Sequence, residues 1–259
     1  MRYALLSDVH ANLEALEAVL ADIDRRDVAA VYHAGDLVGY SSSPNAVVDL
    51  LRARAIAGVA GNYDSTVATD HAHCGCRSES PRQEELAHLS YEYTRATCTP
   101  DTKRFLGGLP FSLDLRPLGG HRAGPRLVIV HGTPTLNTVY WSDDRSDDFC
   151  LKTAATVGLK SGDAIAFGHT HKPWHRVVDG IHFVNTGSVG RPKDGDWRAG
   201  YALLELGEGA VRVELVRVAY DVEATIAGVR AAGLPEDFVD FLRTGGKPPA
   251  TRTTPIADR

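Results

Sequence analysis

The 259-residue sequence predicts an α/β fold whose first third is built on a parallel sheet. Two observations carry that prediction. Short apolar runs alternate with stretches of helical periodicity, the pattern of β-α-β units. Five of the apolar runs also end in polar clusters: Asp8-Val9-His10, Gly35-Asp36, Gly61-Asn62, His131-Gly132 and Gly168-His169-Thr170-His171. Clusters at the carboxyl ends of such strands gather along one sheet edge, where open α/β sheets bind ligands.

Tyr3 to Leu6 is short and apolar, as a buried first strand should be. Asn12 then caps a helix on which Leu13, Leu16, Val19, Leu20 and Ile23 recur at helical spacing. Val28 to His33 reads as a second strand. Pro44, whose fixed φ suits a first helical turn, opens a helix with Val47, Val48, Leu50 and Leu51 on its apolar face. Ala55 to Val59 is the third expected strand.

Ser65 to about Arg82 is polar and without periodicity, and is expected to be a long loop. Helices follow at Gln83–Thr97 and Asp101–Leu106, then strands at Phe111–Leu115 and Arg126–Val130. The acidic stretch to Ser146 carries Tyr140 and Trp141. Asp147–Val157 reads as a helix and Ala164–Phe167 as a return to the sheet. Asp179-Gly180 between Trp174–Val178 and Ile181–Val184 is a two-residue hairpin signal. A second hairpin is expected around Gly207-Glu208-Gly209, then helices at Val222–Ala232 and Glu236–Leu242. One domain is expected over 1–243, with the Gly/Pro/Thr-rich 244–259 as a disordered tail.

At 43% hydrophobic content the chain can bury a large core, supplied mainly by aliphatic residues because aromatics are scarce. A net charge of -5 and a pI near 6.1 argue against a general nucleic-acid binder. No signal-peptide h-region opens the chain, and no run approaches the roughly 18 apolar residues of a membrane span. The expectation is a cytoplasmic protein in which Cys74, Cys76, Cys98 and Cys150 are reduced thiols.

Carboxylate, imidazole and amide side chains together suit manganese, iron or zinc better than calcium, which prefers oxygen alone. A two-metal centre needs a carboxylate shared between cations roughly 3.5–4 Å apart. Asp36 is the natural bridge, because its neighbouring glycines permit close backbone approach. Such a pair would lower the pKa of a bound water and neutralise charge on a phosphoryl oxygen.

The order Asp-x-His, Gly-Asp, Gly-Asn-x-Asp, His-Gly and Gly-His-Thr-His resembles the calcineurin-like metallophosphoesterase superfamily, over residues 1 to about 190. Asn185–Asp194 is also similar to bacterial members described as phosphodiesterases. The resemblance implies a four-layer α/β/β/α sandwich of two packed mixed β-sheets. It implies Asp8, His10, Asp36 and His171 around one transition metal and Asp36, Asn62, His131 and His169 around the other. The pair would be manganese, iron, zinc or nickel, with manganese expected to serve activity best. The implied reaction is attack of a metal-bridging hydroxide on a phosphate ester, with a diester or nucleotide as substrate.

Asp36, Asn62, Tyr63, Asp64 and His131 are the expected catalytic residues, and Asn62, His131 and Arg191 the expected substrate contacts. The sequence departs from the family at Tyr63, where many members carry a histidine that protonates the leaving group. A phenol with an ordinary pKa near 10 is a poorer proton donor at neutral pH. Diesters and aryl esters are therefore expected to outpace alkyl monoesters. A protein Ser/Thr phosphatase, a dinucleoside polyphosphate hydrolase and a non-catalytic metal-binding scaffold are the alternatives. His71, His73, Cys74 and Cys76 raise a third metal site as a further possibility, with a polar loop over the site as the preferred reading. Trp141, Trp174 and Trp197 are expected to pack in the core or at its rim.

Overall fold

A computed structural model describes residues 1–75, 80–116, 124–207 and 210–247. In chain order its elements begin with β1 (Arg2–Leu6), α1 (Leu13–Ile23), β2 (Ala30–His33), α2 (Pro44–Ala53), β3 (Ala57–Gly58) and α3 (Asn62–Ala68). Next come α4 (Pro81–Thr97), α5 (Pro100–Gly107), β4 (Leu113–Leu115), β5 (Leu127–Ile129), α6 (Asp147–Thr156) and β6 (Ala164–Phe167). The remainder is β7 (Trp174–Val178), β8 (Ile181–Asn185), β9 (Ala199–Gly207), β10 (Ala210–Val218), α7 (Val222–Ala231) and α8 (Glu236–Thr244).

The strands form two sheets of five, ordered β10-β9-β1-β2-β3 and β4-β5-β6-β8-β7. In each, three neighbouring strands run parallel and the remaining pairings are antiparallel. The alternation of β1 shows how the layers arise. Tyr3 and Leu5 face inward against Leu127, Ile129, Ala164, Ala166 and Val184 of the second sheet. Ala4 and Leu6 face outward onto Leu16, Val19 and Leu20 of α1 and Val47, Val48 and Leu51 of α2. On the far side, Ile165, Phe167 and Phe183 pack on Trp141 and on Cys150 and Ala154 of α6. The result is the four-layer α/β/β/α sandwich of two mixed sheets that the motif order implied. Each fully buried leucine contributes about 1.5–3 kcal/mol to holding the layers together.

Four expectations need correction. Residues 65–68 are helical, because α3 starts directly at Asn62 and runs through what was read as a loop. The third strand shrinks to Ala57–Gly58, since its backbone meets β2 over only two residue pairs. Cys98 and Cys150 are buried free thiols, but Cys74 is disulfide-bonded, contrary to four reduced thiols. Thr244 closes α8, and Gly195 N–H donates to Gly245 O at 2.9 Å, so the expected tail begins as packed chain. Residues 248–259 of that tail, and Cys76, lie outside the described residues. Among the described residues no helix is long and apolar enough to cross a membrane.

His33, at the end of β2, is fully buried with neither ring nitrogen hydrogen-bonded among the described residues. Burial pulls its pKa down to about 3. The unfolded chain takes up a proton near pH 6.5, which the folded chain refuses until about pH 3. The contribution of His33 to stability is therefore complete above pH 6.5 and falls by about 1.4 kcal/mol per pH unit below it. His33→Leu is expected to remove that slope. Urea unfolding of both proteins between pH 7.5 and 5 checks it; parallel curves would refute the assignment.

Candidate metal centre

The loops that leave β1, β2, β5 and β6, with the start of α3 after β3, meet at one edge of the paired sheets. Asp8 N–H donates to Gly35 O at 2.9 Å, His10 N–H to Asp36 O at 3.0 Å and Gly168 N–H to His131 O at 2.9 Å. These bonds tie the loops to each other rather than to solvent. Asp8, His10, Asp36, His169 and His171 all have φ between 48° and 65°. Side chains with a Cβ adopt that left-handed region only at a cost, and such strain collects where structure serves a site.

The side chains gather in two buried groups: Asp8, His10 and His171, and Asp36, His131 and His169. In the first, His10 Nδ1 lies 3.1 Å from Val38 O and His171 Nδ1 2.6 Å from Arg191 O. A carbonyl only accepts, so each ring carries its proton on Nδ1. The two Nε2 lone pairs are then left facing each other at 3.1 Å. Asp8 Oδ1 stands 3.2 Å from His171 Nε2 and 3.8 Å from His10 Nε2, and it accepts no hydrogen bond among the described residues. Ser7 Oγ and His169 N–H hold the other oxygen, at 2.6 and 3.0 Å. Facing lone pairs beside a free carboxylate oxygen repel one another unless a cation joins them.

The second group repeats the design. His131 Nδ1 is 2.7 Å from Ala34 O, which leaves Nε2 turned towards His169 Nδ1 at 3.1 Å and Asn62 Oδ1 at 3.2 Å. Asp36 Oδ2 lies 3.4 Å from His131 Nε2 and 3.8 Å from His10 Nε2, between the groups. Its Oδ1 is taken by Tyr63 N–H at 2.9 Å. Burial, and then the facing His171, pull the His10 pKa down to about 3, and burial brings that of His169 to about 4. Burial opposes charge on His131 too, but the Asp36 carboxylate beside it raises its pKa to about 9. Mixed nitrogen and oxygen donors of this kind fit a transition metal, and rings fixed by carbonyls are the usual support for metal-bound imidazoles. Both groups therefore pass as metal sites on their own geometry.

All seven residues expected to be ligands are thus brought together. The remaining expected residues stand as follows. Asp64 accepts from Leu37 N–H and Gly61 N–H, both at 2.9 Å, so it braces the loops of Asp36 and Asn62. Burial, then the nearby Asp36 charge, raises its pKa to about 7. Tyr63 is turned into the core, its ring edge-on to His10 at 5.6 Å and beside Tyr40 and Tyr91. Its hydroxyl is sealed from solvent beside Tyr40 and Ser90, with no hydrogen bond among the described residues, and burial raises its pKa well above the usual value. Arg191 lies beside the first group, through its carbonyl bond to His171.

The 71–75 stretch enters the site through its backbone. Asn62 Nδ2 donates to Cys74 O at 3.0 Å, and this bond turns Asn62 Oδ1 towards His131. Asn185, at the head of the 185–194 stretch and not among the expected site residues, donates to Gly168 O and Thr170 Oγ1 at 2.8 and 2.9 Å and braces the histidine loop. Trp141 stacks on Phe167 at 4.3 Å, in the core as expected.

Gly61 shows why these loops need glycine. A Cβ there would stand 2.1 Å from Asp36 Oδ1. Gly61→Ala is expected to push that carboxylate aside and to lower bound metal to less than about half of wild type at equal metal supply. Elemental analysis of the purified proteins tests this, and equal metal content would show that the contact relaxes harmlessly.

A family model described as the calcineurin-like phosphoesterase superfamily domain matches residues 1–209. The chain is 28% identical over 259 residues to an uncharacterised protein of Methanocaldococcus jannaschii, covering 93% of this chain and 97% of that one. Among solved structures it is similar to a metallophosphoesterase from Sphaerobacter thermophilus, at 30% identity and a TM-score of 0.72. That match covers 95% of this chain and 100% of the other. A hypothetical protein from Pyrococcus horikoshii shares the fold, at 21% identity and a TM-score of 0.80, over 95% of this chain and 99% of that one.

Proposed function

The chain belongs to the calcineurin-like phosphoesterase superfamily, and from that premise we propose that it is a two-metal phosphoesterase that cleaves phosphodiesters. The observation that carries the reading is Asp36 Oδ2, within 3.8 Å of an imidazole nitrogen of each donor group. Asp8, His10, Asp36 and His171 would hold one cation and Asp36, Asn62, His131 and His169 the other. When bound, the metal pair supplies a nucleophilic water of lowered pKa and charge to offset that growing on the phosphoryl oxygens.

The chain's own residues do the rest. His131 Nε2 and Asn62 Oδ1 face each other at 3.2 Å, where they would hold the second cation and help to place a phosphoryl group on it. Asp64 fixes the relative position of the loops that carry Asp36 and Asn62. No side chain of the Gly61-Asn62-Tyr63-Asp64 turn is free to protonate a leaving group, which supports substrates that leave without help.

The test is a panel of bis(p-nitrophenyl) phosphate, p-nitrophenyl phosphate, alkyl monoesters, a dinucleotide and a phosphopeptide, with manganese, iron, zinc and nickel in turn. The expected result is manganese-supported diester cleavage that a chelator abolishes. Silence with every metal would point to a metal-binding scaffold. Strong preference for alkyl monoesters or the phosphopeptide would overturn the diesterase reading.

A further inference from the structure

Arg191 sits where the second sheet's last loop returns to the site. Its N–H donates to Ser188 Oγ at 2.8 Å, and its carbonyl accepts from His171. Ser188 Oγ in turn donates to Asp8 O at 2.7 Å, so the backbone at 191 is fixed relative to two proposed ligands. The side chain is held differently. Its guanidinium carbon lies 3.8 Å from the centroid of the Tyr40 ring and 3.6 Å from that of Phe241. A ring thus stands on each side of the cation.

That arrangement decides which part of the guanidinium is left to act. Cation–π contact uses the faces of the planar group, whereas its five N–H donors lie in the plane. Among the described residues the guanidinium makes no ion pair and no hydrogen bond. Burial works against its charge, and cation–π contact with the two rings favours that charge without engaging the donors. The cation is close enough to the first donor group to add, behind burial, to the lowered pKa of His10 and His171. A fork of donors held beside the first donor group matches the oxygens of a phosphoryl group, which arginine can grip with two parallel hydrogen bonds.

The outer ring comes from a part of the chain beyond the family match, which ends at residue 209. Helix α8 carries both Phe241, on Arg191, and Phe238, edge-on to Tyr40 at 5.9 Å. The end of the helix is fitted to the loop that bears Arg191. Gly245 has a φ of 60°, and a Cβ there would lie 2.6 Å from the Asp196 carbonyl carbon. This C-terminal helix therefore packs on the 191–196 loop at the point where the arginine must be steadied.

We infer that Arg191, clamped between Tyr40 and Phe241, is the anion grip of the site, and that Tyr40 and Phe241 are positioning residues which fix the plane of its donors for a phosphoryl group. This inference rests on the phosphoesterase reading and names the part of the substrate that the C-terminal helix serves. Metal-loaded full-length protein is compared as wild type, Phe241→Leu, Phe241→Tyr and Arg191→Lys. Inorganic phosphate is the probe, by calorimetry and as a competitive inhibitor, and bis(p-nitrophenyl) phosphate is the substrate. Phe241→Leu keeps an apolar side chain but loses the ring face; Phe241→Tyr keeps the face. Arg191→Lys keeps the charge, removes the planar group that lies on Phe241 and leaves the residues of α8 unchanged.

Phosphate affinity is expected to fall about tenfold in Phe241→Leu and Arg191→Lys, and less than about threefold in Phe241→Tyr. KM should rise in step, with kcat changing less than KM. Equal phosphate affinity in wild type and Phe241→Leu, at equal metal content, would overturn the grip, as would equal losses in the Leu and Tyr variants. If no protein hydrolyses the diester yet phosphate affinity follows the expected order, the grip stands and the hydrolase reading falls. Hydrolysis without that order leaves the hydrolase reading and removes the grip.

Discussion

Replacing Asp36 with asparagine is expected to lower kcat/KM for a diester by about 10³-fold or more, roughly 4 kcal/mol of transition-state stabilisation. The substitution keeps shape and removes charge. Tyr63 N–H can still donate to the side-chain oxygen that now stands as Asp36 Oδ1, so the loop keeps its fold. The other oxygen, between His10 Nε2 and His131 Nε2, becomes neutral or is replaced by an amide N–H that no cation accepts. Bound metal is expected to fall from two equivalents to one or fewer, with an unchanged far-ultraviolet spectrum. A variant that keeps both metals and full activity would contradict the bridging role. One that loses activity because it unfolds is recognised by its spectrum, and Asp36→Glu then separates loss of charge from misplacement of charge.

The residues of the centre were legible because the sequence writes them at one recurring place, the polar end of an apolar run. Sheet geometry alone brings such ends to one edge, so the order of the motifs, and not any single motif, carried the inference. Gly168-His169-Thr170-His171 illustrates the limit. Two histidines one residue apart on a continued strand would point to opposite faces. Both here have positive φ, and that turn sends His169 to Asp36 and His131 but His171 to Asp8 and His10. Nothing in apolar periodicity reports such a φ.

The misses have physical reasons too. Helix α3 was hidden because its seven residues, Asn62–Ala68, carry little apolar repeat and take their stability from packing and from Asp64 at the first turn. Tyr63 was placed at the site by position, but in a helix adjacent residues point about 100° apart. With Asn62 turned to His131, Tyr63 necessarily faces the core. Tyr40 and Phe241 are about 200 residues apart in sequence and share Arg191 between them, a relation that no local pattern contains. Gly245 falls in the stretch whose composition predicts a disordered tail, yet it is the left-handed cap that lets α8 end against the 191–196 loop.

Tyr63 also sets the second large effect, the dependence of rate on the leaving group. A positioned general acid contributes roughly 10²–10⁴-fold, and most where the departing oxygen is basic. Here the phenol has no contact with solvent, and burial raises its pKa further from neutrality. Asp64 cannot take over, because backbone N–H groups occupy both its oxygens. Alkyl esters are therefore expected to lag behind nitrophenyl esters by about that same factor beyond what they show in metal-loaded relatives with histidine at this place. The slope of log kcat against leaving-group pKa should be steep over a series of aryl and alkyl diesters. Tyr63→Phe should change neither slope nor rate by more than about twofold, since it deletes a hydroxyl that is sealed from solvent beside Tyr40 and Ser90. A shallow slope in wild type that steepens in Tyr63→Phe would show that the hydroxyl reaches the substrate after all, and would return Tyr63 to the reaction.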